Sequence, residues 1–401
     1  MSLQKKFIVG GYDTHGTSTS VVIGRSQKIP LDNILVRFPD TSPENLPKFL
    51  YTQNLFNDEI YVVDIGINIK NPSEFIDTMK IIADNNVLTF IDHHETNYQY
   101  LSLMPKGIRF LQFPSASSMA KAVADMFNAK QDWDLLVVGS IGDRDSSIKE
   151  ITDVGSMYFE RLYRLANIMD VLVRKNVGET IKGLYQDGIE YLERQADNVK
   201  YPPSELADIF ASEGKITRYG NIVVVDATNI QQNMASWLWK TFDEILRRHG
   251  ADYLIAPAKV LDRQLNRYVD VVFVIKYWLS DMAPAKQLIP DIINNRRVIG
   301  HDDAFSISAS SPQDAQELAK AILDRLQENY SVTASYIPTG NVARALQEDF
   351  RRILNRQTEV LQKITEILEL QQQNYAKYNE LKEEQIQMLK RVTNADVHRA
   401  D

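Results

Sequence analysis

The chain of 401 residues contains no cysteine. That excludes disulfides, thiolate zinc sites and cysteine nucleophiles, and leaves oxygen and imidazole nitrogen as donors for any metal. Long apolar runs are missing too. Stretches such as Ile222–Val225 and Val269–Ile275 fall far short of the ~20 residues that cross a bilayer. No apolar signal core follows Met1–Lys6, so the expectation is a soluble, cytoplasmic protein with no membrane partner. Positive charge is also in deficit: 45 Lys and Arg against 53 Asp and Glu give a formal charge of -8. This argues against a surface that coats polyanions, but not against a local phosphate site that recruits metal ions. Three familiar motifs are absent: a Walker A loop, the GxGxxG spacing of a dinucleotide fold and the GxSxG elbow of a serine hydrolase.

What is present reads as two or three domains. Up to about residue 165, short apolar runs alternate with helical patterns. Strands are expected at Phe7–Gly11, Ile34–Phe38, Ile60–Ile65, Val87–Ile91 and Leu135–Val138, with helices such as Pro72–Ala83 and Ser117–Phe127 between them. Continuous apolar strands separated by helices predict an α/β fold with a parallel sheet covered on both faces. Residues 166–215 read as a helical connector punctuated by Pro202 and Pro203. A second, smaller α/β domain is expected over 216–335. Its strands are Asn221–Asp226, Tyr253–Ala256, Val269–Ile275 and Phe305–Ala309; its helices are Ala235–His249, Ala283–Asn294 and Pro312–Tyr330. Over 341–395, apolar residues such as Leu346, Phe350, Ile353, Val360, Ile364 and Ile367 recur at alternating spacings of four and three. That pattern predicts a long amphipathic, coiled-coil-like helix suited to a homodimer or a protein partner.

The expected strands of the first domain run into residues that bind metals. The first leads to Asp13 and His15, the third to Asp64, the fourth to Asp92, His93 and His94, and the fifth to Asp143. Ligands of open α/β sheets bind outside the carboxyl ends of the strands, so these side chains are expected to converge. Carboxylates mixed with imidazoles suit Mn²⁺, Fe²⁺, Co²⁺ or Zn²⁺. There are more donors than one ion needs, which points to one or two divalent ions able to polarise phosphate and activate water.

Ile91-Asp92-His93-His94-Glu95 resembles the signature of the DHH phosphoesterases, which include the RecJ exonuclease, nanoRNases and cyclic-dinucleotide phosphodiesterases. Other motifs match in order. Val9 to Gly16 resembles the RecJ-type first motif, Val62-Val63-Asp64-Ile65-Gly66 the second, and Gly139 to Arg144 the fourth, closest to the archaeal RecJ-like branch. The resemblance implies that Asp13, Asp64, His93 and Asp143 bind metal, with Asp64 as the bridge between two ions. His94 would face the scissile phosphate and Asp92 would orient a histidine. Two departures stand out. His15 occupies a position where the family usually has Asp, and no histidine precedes Asp13, where Val9, Gly10, Gly11 and Tyr12 stand. His15 can still serve as a ligand, with altered metal preference.

In the second domain, Asn294 to Ser306 partly resembles the Gly-Gly-His-x-x-Ala motif of the DHH-associated domain, with Ile299 in place of the first Gly. By that resemblance Arg296, Arg297, Gly300 and His301 bind the substrate. The basic motif of the family's pyrophosphatase branch is not found. Together these features imply a Mn²⁺-dependent phosphodiesterase, with Mg²⁺, Co²⁺ or Zn²⁺ as alternatives, acting on single-stranded DNA or RNA or short oligonucleotides. The rival readings are a degenerate RecJ-like scaffold of a replication or repair assembly and a dinucleotide phosphodiesterase.

Overall fold

The computed structural model describes residues 4–37, 45–67, 72–229, 237–262, 267–294, 296–300 and 302–335. The expected 341–395 helix, Asn295 and His301 lie outside these. Contacts divide the chain into two units, Met1–Leu326 and Gln327–Asp401. Of the second, only the last turns of a helix are described; all other described elements belong to the first.

The first lobe is built on a parallel sheet. Its strands are β1 (Lys6–Gly10), β2 (Ile34–Leu35), β3 (Glu59–Val63), β4 (Val87–Asp92) and β5 (Ile108–Gln112), in the order β2-β1-β3-β4-β5. Interleaved helices are α1 (Thr14–Ser26), α2 (Leu46–Thr52), α3 (Pro72–Ala83), α4 (Ala116–Met126) and α5 (Trp133–Gly142). One face of the sheet packs Val9, Val62 and Phe90 against α2 and α3 through Leu50, Phe75 and Met79. The other packs Ile8, Val63 and Ile91 against α1, α4, α5 and a long helix, α6 (Met157–Asp187). Both faces are therefore dry, which is why the strands carry unbroken runs of β-branched residues.

The expected strand at Leu135–Val138 is instead the middle of α5. Every residue from Leu135 to Ile141 is buried. A helix apolar on all sides has no amphipathic period, so its four-residue core reads like an interior strand. The fifth strand, β5, is the one the apolar runs did not mark; it lies at the sheet's edge with only Ile108 buried.

After α6 come α7 (Ile189–Gln195) and α8 (Pro202–Ser212). α6 is interrupted at Asn176, whose backbone (φ -161, ψ 92) is extended and whose side-chain oxygen accepts from the Glu179 N–H at 3.1 Å. The Asn thus caps a second helix in mid-element.

The second lobe holds a mixed sheet. Its elements are β6 (Ile216–Tyr219), β7 (Ile222–Val225), α9 (Leu238–His249), β8 (Tyr253–Asp262), β9 (Arg267–Lys276), α10 (Ala285–Leu288), α11 (Pro290–Ile293), β10 (Val298–Gly300), β11 (Ala304–Ala309) and α12 (Pro312–Ser335). Strand order is β10-β11-β9-β8-β7-β6, antiparallel except for the β7–β8 pair. Phe242, Leu246, Leu254 and Phe273 build its core. The single helix expected at Ala283–Asn294 is two short ones, because Pro290 starts a new helix at its first position. None of the described helices is long and apolar enough to cross a membrane.

Candidate metal centre

The carboxyl ends of β1, β3 and β4 open on one side of the sheet, and the residues there are brought together by close backbone packing. Gly11 lies so near Asp64 that a Cβ at position 11 would stand 2.3 Å from the Asp64 carbonyl oxygen. A Cβ at Gly139 would lie 2.1 Å from Ser18 Oγ, and one at Gly142 2.5 Å from the Thr14 side chain. These gaps let α1 and α5 approach, which sets His15, in the first turn of α1, beside Asp143 at the end of α5. Asp64 itself has φ +56, a left-handed conformation uncommon outside glycine, asparagine and aspartate. That turn aims its carboxylate back over the strand ends.

His15 Nδ1 lies 3.1 Å from Asp64 Oδ1, His93 Nε2 lies 3.0 Å from the same oxygen, and His93 Nε2 is 3.4 Å from Asp143 Oδ2. Yet both ring nitrogens of His15, both oxygens of Asp64 and His93 Nε2 are buried without an aligned hydrogen-bond partner. Ligand atoms that crowd without aligned hydrogen bonds to one another are arranged as the shell of a shared cation would be. Ligands around one small divalent ion sit roughly 3 Å apart, because each lies ~2.1 Å from it. Donor atoms of His15, His93 and Asp143 lie within 4.8 Å of one another, as do those of Asp64, His93 and His94. The side chains present therefore fit a divalent cation.

The remaining members divide by role. Asp13 caps α1, its Oδ1 accepting from the Gly16 N–H at 2.7 Å. One of its oxygens is thus committed to the fold, and it is absent from both donor clusters. Desolvation at the cleft floor, with the charges of Asp64 and Asp143, raises its carboxyl to about 7 although the residue is exposed. Asp92 is fully buried; its Oδ1 accepts from the His94 backbone at 2.6 Å and pairs with His94 Nδ1 at 2.8 Å. With Nδ1 engaged by Asp92, it is Nε2 of His94 that remains for a ligand. Gln112 Nε2 donates to the His94 carbonyl at 2.9 Å, and Gly66 leaves room for the ring, which a Cβ there would meet at 3.0 Å.

The charges are strongly coupled to this geometry. Burial opposes protonation of His15, but the Asp64 carboxylate beside it prevails and raises the imidazole to about 10. Likewise burial is outweighed at His94 by Asp92, which lifts it to about 9, and at His93 by Asp64. Asp64 is held well below the usual carboxylate range: burial pushes it up, and His15 and His93 more than compensate. Asp143, whose side chain is 30% exposed, is raised by partial desolvation and by the Asp64 charge.

A cleft of about 480 Å³ adjoins this floor and includes Asp13 and Asp143. Its far wall comes from α6, α9 and the ends of β9 and β11: Asp170, Arg174, Trp239, Lys240, Lys276, Trp278 and Asp303. Of these only Asp303 falls within a motif, the Asn294–Ser306 stretch. Lys240 and Arg174 have ordinary helical spacing, and only the fold shows that they share a wall. Arg144, next to Asp143, reaches the second lobe: its Nε lies 2.9 Å from Asp243 Oδ2, and its guanidinium packs over Tyr163 and Trp278. Of the residues expected to bind substrate, Arg296 pairs with Asp314 through both terminal nitrogens, at 3.0 and 2.9 Å. Gly300 has φ +126 in β10, where a Cβ would stand 2.4 Å from the Ala304 carbonyl oxygen. Neither Arg296, Arg297 nor Gly300 lines the cleft; the hairpin they belong to leads into Asp303 and Ala304, which do.

No protein-family model matches the sequence, and no curated protein sequence does. Among solved structures, the chain is similar to the pGpG-specific phosphodiesterase PggH from Vibrio cholerae (13% identity, TM-score 0.46), covering 81% of this chain and 99% of that one. It is similar to RecJ in complex with Mn²⁺ from Thermus thermophilus (14%, TM-score 0.46), over 82% of this chain and 52% of that one, so it spans about half of that RecJ. It is also similar to the DHH domain of a member of the s1p family of ribosomal proteins (13%, TM-score 0.48), over 80% and 86% of the two chains.

Proposed function

We propose that the chain is a metal-dependent phosphoesterase of the DHH type that hydrolyses phosphodiester bonds in single-stranded nucleic acid or short oligonucleotides. The observation that carries this reading is the convergence of buried, unpartnered donors from His15, Asp64 and His93 at the carboxyl edge of the sheet. Held by Asp64, His15, His93 and Asp143, with Asp13 beside them, one or two divalent ions (Mn²⁺ first, then Mg²⁺, Co²⁺ or Zn²⁺) would polarise a phosphoryl oxygen and acidify water.

The other roles belong to the protein. Asp64, with both oxygens uncommitted, is suited to contact two ions. Asp92 fixes the His94 ring, which would donate from Nε2 to an oxygen of the scissile phosphate. The cleft volume falls in the ~300–1,000 Å³ range of small-ligand pockets, which favours a strand end or a short oligonucleotide over a duplex. Arg296, Arg297, Gly300 and His301 are assigned to the substrate's outer phosphates; Arg296 would exchange the Asp314 carboxylate for phosphate.

The test is incubation of purified protein with Mn²⁺ and labelled oligonucleotides of graded length, beside Asp64→Ala. Cleavage that vanishes in the variant supports the reading. Absence of cleavage with all four metals, together with absence of bound metal, overturns it. Length dependence then separates an exonuclease from a dinucleotide phosphodiesterase.

A further inference from the structure

The far wall of the cleft has a composition that metal chemistry does not require. Trp239 and Lys240 are neighbours in the first turn of α9, and both line the cleft. Trp239 is 39% exposed, whereas Trp278 on the same wall is only 7% exposed. A tryptophan left open at the cleft forgoes burial that its neighbours obtain. Its indole is nonetheless braced, edge to face, by Phe273 at 4.7 Å between ring centres. A braced, open indole is a stacking surface. Beneath it, Lys240 Nζ lies 2.9 Å and Arg174 Nε 3.3 Å from the same oxygen of Asp170. Two cations share one carboxylate, so the group carries one surplus positive charge. That matches the single negative charge of a phosphodiester.

We infer that Trp239, Lys240 and Arg174 form a nucleoside-phosphate subsite: the indole stacks on one base beside the scissile bond, and the Lys240–Arg174 pair takes the neighbouring phosphate. The inference rests on the phosphodiester reading of the metal centre but assigns residues outside every motif. Stacking on an indole uses the π-face common to all bases, so the subsite selects for a base without reading which one it is. Asp170 holds both cations in place until the phosphate arrives.

The experiment is a cycle between protein and substrate. Trinucleotides with each base in turn replaced by an abasic unit are given, with Mn²⁺, to the wild type, Trp239→Ala and Trp239→Phe. At one position, loss of the base is expected to lower kcat/KM roughly tenfold in the wild type. In Trp239→Ala the same loss changes it less than about twofold, and Trp239→Phe falls between, since its smaller ring still stacks. Equal base effects in all three proteins at every position overturn the inference while leaving the phosphoesterase reading intact. The same cycle is run as equilibrium binding by fluorescence anisotropy, which needs no turnover. Coupling seen in binding but without cleavage supports the subsite and speaks against the enzyme. Absence of binding, or binding without coupling, overturns the subsite.

Discussion

On the sheet side of the cleft, the polar groups of His15, Asp64 and His93 are buried and crowded without aligned partners. On the second lobe's side, Lys240 and Arg174 are each held by Asp170, and Arg144 by Asp243. The first crowds five buried nitrogen and oxygen atoms without an aligned partner around one carboxylate; of its own groups the second leaves only Arg144 Nε and one oxygen of Asp170 so placed, and it carries its charges in pairs. Buried polar atoms without partners cost free energy, so a fold that keeps several together is poised to bind, whereas ion pairs hold shape. The comparison matches the two proposed roles, a cation at the first wall and an anion at the second.

The largest way to break this contrast is Asp64→Asn. Asparagine accepts the left-handed backbone at this position, so the fold persists while the central carboxylate is lost. Mn²⁺ affinity in a calorimetric titration is expected to drop at least roughly a hundredfold, the upper end of what even supporting residues contribute. Next comes His15→Ala, expected to weaken Mn²⁺ by roughly ten- to a hundredfold; unchanged affinity would return His15 to a purely packing role.

Breaking the opposite wall has a different signature. Arg144→Met takes from the buried Asp243 its paired cation and leaves it the Tyr163 hydroxyl at 3.2 Å, and is expected to cost about 3 kcal/mol in denaturant unfolding. Mn²⁺ affinity should move far less than in the Asp64 and His15 variants. A large loss of affinity from Arg144→Met would show that the two walls are not separate.

Acidity sharpens the comparison further. In the metal-free protein His15 stays protonated up to about pH 10, so a cation must displace that proton. Affinity for Mn²⁺ is therefore expected to rise from pH 6 to pH 9 by about tenfold per unit for each proton released. Titrations in buffers of different ionisation enthalpy count the protons. The same raised value stabilises the metal-free fold in full below 6.5, the ordinary histidine value, and this contribution fades as pH climbs to about 10. Metal-loaded protein should not show that decline. The smallest effect is expected from Arg296→Ala, about 1 kcal/mol or less in stability, because its pair with Asp314 is part-exposed. A rise in KM beyond that loss would support its assignment to substrate.

Much of the metal wall was legible because its residues follow strands. The runs ending at Asp64 and at Asp92-His93-His94 are strands in the structure, and their ends meet as parallel topology requires. Asp143 arrived by another route: the Leu135–Val138 run is helix, and Asp143 caps it. It nonetheless ends beside His93, although the element is a helix, because a buried helix and a buried strand share apolar composition. Asp13 was less fully read, since its role as a helix cap became visible only with α1 in place. The opposite wall was illegible for a plain reason. Asp170, Arg174, Trp239 and Lys240 come from two helices whose approach depends on the packing of whole lobes, and no local pattern encodes it.

The break in α6 bears on that wall through helix-end electrostatics. Because Asn176 starts a second helix, Arg174 belongs to the last turn of the first, where unpaired carbonyls concentrate partial negative charge. Its guanidinium is thereby favoured by the macrodipole as well as by Asp170. Glu179, near the start of the second half, matches the opposite pole. What would otherwise be one long dipole is two short ones, each complemented by its own charges, and the cleft is lined by a helix terminus rather than a helix flank.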